Sequence, residues 1–383
     1  MKHPGSPLRV VVVAHDRLWP PCGGGSIRIH WVIRLLSARG HRVTVVAPLL
    51  HQEGLAEAFP NVRFLQTGRF SRFVRFKEFV YLIHMIRTFF RLLSIPADVF
   101  YAQSAVVGIP TVLAARLRNI PVVFDMIDLI TGLSKNPLVC RYGQFFERWV
   151  VRYADFTIVT AANLVSFAKN AGAPNAELVR HGVDLTRFYP RPVQKKPWIV
   201  YMGGIEVFDG VFLIPEAASM LSKEFPDLHF LFVGEGKMLS LLQESIQALD
   251  LSSRFEFRGW VPQTEIPDLL SQSLLGLITN LRSPGMMYAA PLRLVEYMAM
   301  GLPFVAPDLP GIEEQVRNSQ AGLLFKTGDA KSLAEAIRTL LKDSSLRERL
   351  GKNGRAYALR HANWNQNAGR IVEICEAVAR GKA

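Results

Sequence analysis

Short apolar runs alternate with amphipathic stretches along the whole chain, the pattern of an α/β protein. Arg9–Ala14 carries four consecutive valines, as suits a strand buried on both faces of a parallel sheet. Gly23, Gly24 and Gly25 follow, and Ser26 can cap a helix that runs to about Ala38 and stops at Gly40. His41–Ala47 predicts a second strand. Further strands are expected near 62–66, 97–101, 120–125 and 155–159, with helices between most of them. Within 69–95, Ile83, Ile86 and Phe90 stand at helical spacing and predict a stripe packed on the sheet.

The same grammar restarts in the second half. Trp198–Met202 predicts a strand ending in Gly203-Gly204, 210–224 a helix, and Leu228–Val233 a strand ending in Gly234. Shorter strands are expected near 254–257, 274–279, 303–306 and 322–325. Pro190, Pro192 and Pro197 interrupt any regular element, so 185–197 reads as an interdomain linker. Two doubly wound α/β domains in tandem result, with ligands expected at the carboxyl ends of their strands.

Composition narrows the class. The 383 residues are 49% hydrophobic and 20% charged, enough for sizeable cores and against disorder as the main state. Cys22, Cys140 and Cys375 are odd in number and far apart, so they read as reduced thiols of a cytosolic protein. No apolar run approaches the ~18 residues of a membrane span, and Val10–Ala14 is short for a signal peptide. The net charge of +13 is uneven: residues 1–190 hold 23 Lys/Arg against 11 Asp/Glu, and residues 191–383 hold 22 against 21. The first half therefore faces something anionic, or carries its charge for solubility.

Three places carry candidate chemistry. A glycine-rich turn between a strand and a helix offers backbone N–H groups and a helix dipole to an anion, which makes Gly24 and Gly25 candidates. Their spacing is not G-x-G-x-x-G, which disfavours a dinucleotide cofactor. In Ala289–Glu296, Pro291 suits a helix start, and the amides of Leu292 and its neighbours would point out of it. Arg293 is a cation in a first turn, where a bound anion would justify it. Glu296 can accept two hydrogen bonds from a vicinal diol such as ribose. His15, Asp16, Asp125 and Asp128 follow strands of the first domain and are candidate polar contacts to a ligand hydroxyl, with His15 and Asp128 the catalytic candidates. No Cys, His or carboxylate cluster has metal spacing.

Pro291-Leu-Arg-Leu-Val-Glu296-Tyr-Met-Ala-Met-Gly301-Leu-Pro303 resembles the most diagnostic segment of glycosyltransferase family 4, the retaining group 1 enzymes of GT-B fold. Gly23–Gly25 with Gly40-His41, His181-Gly182-Val183-Asp184, Tyr201-Met-Gly203-Gly204, Phe232-Val-Gly234 and Ala321-Gly322 agree with the family in order. The resemblance implies two Rossmann-like domains facing across a cleft: an acceptor-binding domain at 1–187, a nucleotide-sugar-binding domain at 188–363, and a C-terminal helix, 364–383, returning to the first domain. Its Ile371, Val372 and Cys375 read as core contacts. It also implies a metal-independent, retaining transfer of a hexose-type sugar, with the nucleotide-sugar as donor substrate and no cofactor. Taken with the residue readings above, the expected donor-binding residues are Gly24, Gly25, Gly203, Gly204, Gly234, Tyr288, Pro291, Leu292, Arg293 and Glu296.

The departures from the family pattern cluster at the donor. Tyr288 stands where the family often has a first Glu, eight residues before Glu296. Gly204 and Asp209 stand where it often has a phosphate-binding Arg and Lys, and Asp209 would repel a diphosphate if it pointed inward. Ile127 replaces the His often found before the Asp at 128. Arg293, aided by Arg282 or Arg180, is expected to supply the missing charge. The alternative is a GT-B-like nucleotide- or glycan-binding protein with weak or no catalysis. A sugar epimerase of the same fold lacks its acidic and His set here.

Residues 69–91 hold six cations and one acid, Glu78, with aromatics interleaved. Arg69, Arg72, Phe73, Arg75, Phe76 and Lys77 read as an anionic-membrane or acceptor surface. No nucleic-acid module accompanies them, so nucleic acid is not expected as a partner. The expectation is a cytoplasmic enzyme, peripheral at the inner membrane face, acting on a lipid-linked or glycan acceptor. The oligomeric state is unspecified by the sequence.

Overall fold

The computed structural model describes residues 6–15, 18–21, 23–48, 52–68, 77–129 and 137–381, with side chains at 52–53, 77–81 and 137–140 outside that description. The chain forms two compact units: Met1–His181 with Trp364–Ala383, and Gly182–Asn363. The expected domain boundary lay six residues later in the sequence, at 187/188.

The first unit holds seven parallel strands: β1 (Arg9–Val13), β2 (Arg42–Ala47), β3 (Arg63–Gln66), β4 (Val99–Gln103), β5 (Val122–Met126), β6 (Phe156–Val159) and β7 (Ala176–Leu178). Their order is β3-β2-β1-β4-β5-β6-β7. The helices are α1 (Gly23–Ala38), α2 (Gln52–Ala58), α3 (Lys77–Ser94), α4 (Ala105–Arg118), α5 (Pro137–Tyr153) and α6 (Ala162–Asn170). The four valines of β1 are buried, as the two-faced apolar run requires. A last helix, Trp364–Ala379, also belongs here: it packs against α1 and under β4, β5 and β6, with Ile371, Val372 and Cys375 buried.

The second unit has six parallel strands: β8 (Trp198–Met202), β9 (His229–Val233), β10 (Phe255–Phe257), β11 (Leu275–Leu277), β12 (Phe304–Pro307) and β13 (Gly322–Phe325), ordered β10-β9-β8-β11-β12-β13. The helices are α7 (Leu213–Leu221), α8 (Leu239–Ala248), α9 (Ile266–Gln272), α10 (Leu292–Ala299), α11 (Pro310–Ser319), α12 (Ala330–Lys342) and α13 (Ser344–His361). The returning helix Trp364–Ala379 is α14. Ile199, Tyr201, Phe230, Phe232, Leu277 and Ile337 lie in its core.

Four expectations need correction. The triple glycine is the first turn of α1 rather than a loop before it, and Ser26 is buried within that helix, donating to Gly23 O at 3.2 Å. Glycine's freedom lets the helix begin at Gly23, where φ is +83°. The helix expected over 210–224 runs only from Leu213 to Leu221, because Gly210, left-handed at φ +64°, closes the 3₁₀ turn Val207–Asp209 and delays its start.

The inward stripe of α3 is also different. His84, Thr88 and Leu92 are buried, whereas Ile86 and Phe90 point out, at 48% and 63% exposure. A polar pair decides it: His84 Nδ1 lies 2.8 Å from Thr67 Oγ1 at the end of β3. That bond turns a hydrogen-bonding face inward, and apolar periodicity cannot register it. Finally, 185–197 is not a free linker. It packs on the second unit through buried Phe188, whose carbonyl accepts from Arg355 Nη1 at 2.8 Å, and through Lys195 Nζ, which donates to Ser273 O at 2.7 Å.

Candidate functional site

In a doubly wound sheet, ligands bind outside the carboxyl ends of the strands where the order reverses. In the second unit that point lies between β8 and β11. Three loops meet there. Gly234 ends β9 with φ +135°, and a Cβ on it would stand 1.9 Å from Gly203 O, so only glycine allows this approach. Gly203 itself has φ +148°, and a Cβ there would be 2.1 Å from Arg293 Nη1.

Arg293 stands in the first turn of α10. Its Nη2 donates to Asn280 Oδ1 at 2.7 Å and lies 3.7 Å from Asp209 Oδ1. Its guanidinium carbon sits 5.3 Å from the centroid of the Tyr201 ring, whose hydroxyl donates to Gly204 O at 2.5 Å. Arg293 Nε is buried without a hydrogen-bond partner.

Asp209 is fixed by its own contacts. Asn280 Nδ2 donates to Oδ1 at 3.0 Å and Glu206 N to Oδ2 at 3.2 Å, while Thr279 Oγ1 donates to its backbone oxygen at 2.7 Å. Burial pushes the Asp209 carboxyl above its ordinary value, and Arg293 and the hydrogen bonds oppose it. A Cβ at Gly204 would lie 3.1 Å from Asp209 Oδ2. The two departures from the family pattern are thus in contact, since any side chain at 204 would begin against that carboxylate.

Pro291 is the residue before α10, extended at φ −62°, ψ 137°, and it brings no side-chain cap. Leu292 is the first helical residue. Glu296 is buried rather than solvated, and burial pushes its carboxyl up to about 7, against a hydrogen bond from Gln263 and the charge of Arg293. Tyr288 closes a 3₁₀ turn, Met286–Tyr288, and is half-buried. Of the two auxiliary cations, Arg282 is exposed with Nη1 3.6 Å from Met287 Sδ. Arg180 belongs to the first unit. Arg282 does not enter the Arg293 cluster. Asn280 and Tyr201 do, and the sequence reading missed them. The signal available for Asn280 was a polar residue three positions beyond the short strand β11.

The first unit repeats the geometry between β1 and β4. Gln103, ending β4, donates through Nε2 to Gly25 O at 3.2 Å, tying the strand edge to the start of α1. His15 follows β1, and its charge bears on His84. Burial holds the His84 imidazole down at about 4, with His15 adding to the effect.

Asp125 is structural. Arg28 Nε and Nη2 donate to its two oxygens at 2.6 and 3.0 Å, both side chains are fully buried, and the Tyr101 hydroxyl donates to the same carboxylate. Asp128 lies two residues beyond β5 and is half-buried. Lys77 opens α3, while Arg69, Arg72, Phe73, Arg75 and Phe76 lie outside the described residues. Among the described residues no three His, Cys, Asp or Glu side chains gather as a metal site, and no helix is long and apolar enough to cross a membrane.

Comparison with known proteins agrees with this architecture. The "Glycosyl transferases group 1" family model matches residues 184–357, and the "Glycosyl transferase 4-like domain" model matches residues 23–183. A glycogen synthase of Mycobacterium tuberculosis is 23% identical over 405 aligned positions, covering 98% of this chain and 96% of that protein. The putative colanic acid biosynthesis glycosyltransferase WcaL of Escherichia coli is 28% identical over 254, covering 63% and 61%. Among solved structures, a sucrose-phosphate synthase of Thermosynechococcus elongatus superposes with a TM-score of 0.81 at 18% identity, covering 98% of this chain and all of that one. HepE of Anabaena, in complex with UDP-glucose, gives 0.79 at 17% identity over 97% and 100% of the two chains. The chain therefore belongs to the group 1, family 4 glycosyltransferases and has their GT-B fold of two Rossmann-like domains.

Proposed function

We propose that the protein transfers a hexose-type sugar, with retention and without a metal, from a nucleoside-diphosphate donor to a lipid-linked or glycan acceptor at the cytoplasmic membrane face. The observation that carries the donor half is Arg293: a buried guanidinium in a helix first turn, at the switch point, with Nε unpartnered. A departing diphosphate is the anion such a group accommodates. The structure of HepE with UDP-glucose supports the same ligand class in a protein of this fold.

In this reading the bond between the anomeric carbon and the diphosphate oxygen breaks, and a bond to the acceptor oxygen forms on the same face. The acceptor proton passes to the departing phosphate. Gly203, Gly204, Gly234, Pro291 and Leu292 give the diphosphate close backbone approach, Arg293 meets its charge, and Glu296 accepts from the ribose diol. Tyr288 borders the sugar, Gly24 and Gly25 offer first-turn amides to the donor, and His15 and Asp128 contact the acceptor. Catalysis is then positioning and charge stabilisation rather than a side-chain base.

Asp209, Gly204 and Tyr288 favour the second reading, a GT-B protein that binds a nucleotide sugar without turnover. A thermal-shift panel of nucleotide sugars followed by nucleotide-release assays separates them. Release with the best-binding donor supports transfer, and binding without release supports the second reading. Arg293→Ala should weaken nucleoside-diphosphate binding. A change below threefold, about 0.65 kcal/mol, removes Arg293 from the donor site.

A further inference from the structure

The helices α3, α4 and α5 lie side by side over one face of the first sheet, α3 against α4 and α4 against α5. Their outer face is apolar where solvent would favour polar groups. Leu82, Ile86 and Phe90 recur every four residues along α3 and are all exposed. Leu117 of α4 is 71% exposed, and Tyr142 and Phe145 of α5 are 62% and 63% exposed. Scattered apolar residues need no explanation, but a stripe continued over three adjacent helices does.

Among the described side chains, the exposed charges of these three helices are of one sign. Arg87, Arg91, Arg116, Arg141, Arg148 and Arg152 are exposed. The three helices contain two acids: Glu147 is buried, and Glu78 sits in the first turn of α3. Arg87 and Arg91, one turn apart, line a groove of about 750 Å³ with Phe90 and with Gln66, Thr67 and Gly68 at the end of β3. Among the described residues neither arginine has a carboxylate within ion-pair distance.

We propose that the outer face of α3, α4 and α5 docks on an anionic phospholipid bilayer, with the Arg87–Arg91 groove seating a lipid phosphate. This rests on the membrane-face reading above and gives it a surface. Aliphatic and aromatic side chains enter the headgroup boundary while the arginines stay at phosphate level. A second copy of the chain is a poor occupant, because two such faces would repel. Nucleic acid would use the arginines and stack on aromatics, leaving Leu82, Ile86 and Leu117 without a role.

The test is co-sedimentation of the full chain with vesicles of phosphatidylcholine alone or with phosphatidylglycerol added. Three proteins are compared: the wild type, Phe90→Ser/Leu117→Ser/Phe145→Ser, and Arg87→Gln/Arg91→Gln. All five positions are exposed, and thermal melts check folding. Binding should need phosphatidylglycerol, and each variant should lose about tenfold or more in vesicle affinity. Soluble glycerophosphate should bind far more weakly than vesicles do.

Wild-type binding to neutral vesicles alone, or none to either kind, overturns the proposal. So does a serine variant that binds as the wild type does, which would mark a general polyanion site. Nucleotide release in solution should be unchanged in both variants. If the wild type binds vesicles as expected but never releases nucleotide, the docking surface stands and the transferase reading falls.

Discussion

Asp209 and Arg293 oppose each other across 3.7 Å at the carboxyl edge of the second sheet, and Asn280 bonds to both, at 3.0 and 2.7 Å. The guanidinium has a second hold that does not involve the carboxylate, through Asn280 and the face of Tyr201. Removing the negative charge should therefore leave Arg293 in place and free its charge for a ligand. Asp209→Asn is expected to tighten nucleoside-diphosphate binding about fivefold, roughly 1 kcal/mol, and Arg293→Ala to weaken it at least tenfold. Isothermal titration with the nucleotide selected by thermal shift measures both. Weaker binding by Asp209→Asn would mean that the carboxylate chiefly positions the arginine.

The Arg28–Asp125 pair holds the first unit from inside. Both side chains are fully buried, with the Tyr101 hydroxyl on the same carboxylate and Arg180 O accepting from Arg28 Nη1 at 3.2 Å. Truncating one partner strands a buried charge, typically at about 3–5 kcal/mol. Asp125→Ala should lower the melting temperature of the first unit sharply. Arg28→Met with Asp125→Leu should recover much of the loss, because no lone charge remains. If Asp125→Ala melts like the wild type, the buried pair is not what ties α1 to β5.

Much of this was legible in the sequence, and the exceptions share a cause. Parallel strands buried on both faces announce themselves as apolar runs, so β1, β2, β8 and β9 stood close to where Arg9–Ala14, His41–Ala47, Trp198–Met202 and Leu228–Val233 read. The three-residue β7, Ala176–Leu178, is too short and too polar to read. Polar pairing over long sequence separation was invisible. Thr67 with His84 turned α3 about its axis, and Arg28 with Asp125 made a wall of what read as an acceptor contact. At the donor site, Asp209 read as a repulsive oddity because nothing in the sequence joins position 209 to position 293.

Gly234 tests the backbone geometry of the site. Its φ of +135° is a glycine conformation, and a Cβ would stand 1.9 Å from Gly203 O, a backbone atom that cannot swing away. Gly234→Ala should destabilise the second unit by about 1–3 kcal/mol. It should also displace the Gly203 loop, so that nucleotide binding falls more than stability alone explains. Chemical denaturation and titration of the same variant separate the two effects. Unchanged binding would place the Gly203–Gly234 contact outside the donor site.

Glu296 makes stability depend on pH with a definite sign. Burial lifts its carboxyl from 4.5 to about 7 in the folded protein. Between those values the folded state holds a proton that the unfolded state has lost, so stability falls as pH rises. The contribution is fully present below 4.5, declines through the window, and is gone above about 7, a difference of about 3 kcal/mol. Glu296→Gln keeps the shape of the neutral carboxyl and cannot ionise. Its advantage over the wild type should be near zero at pH 4.5, grow through pH 6, and level off above pH 8 in denaturant titrations of the second unit. Added nucleoside diphosphate should narrow the gap at pH 8, because a ribose diol donating to the ionised carboxylate stabilises the form that burial penalises. A constant gap between the two proteins at every pH would show that Glu296 does not titrate in this window.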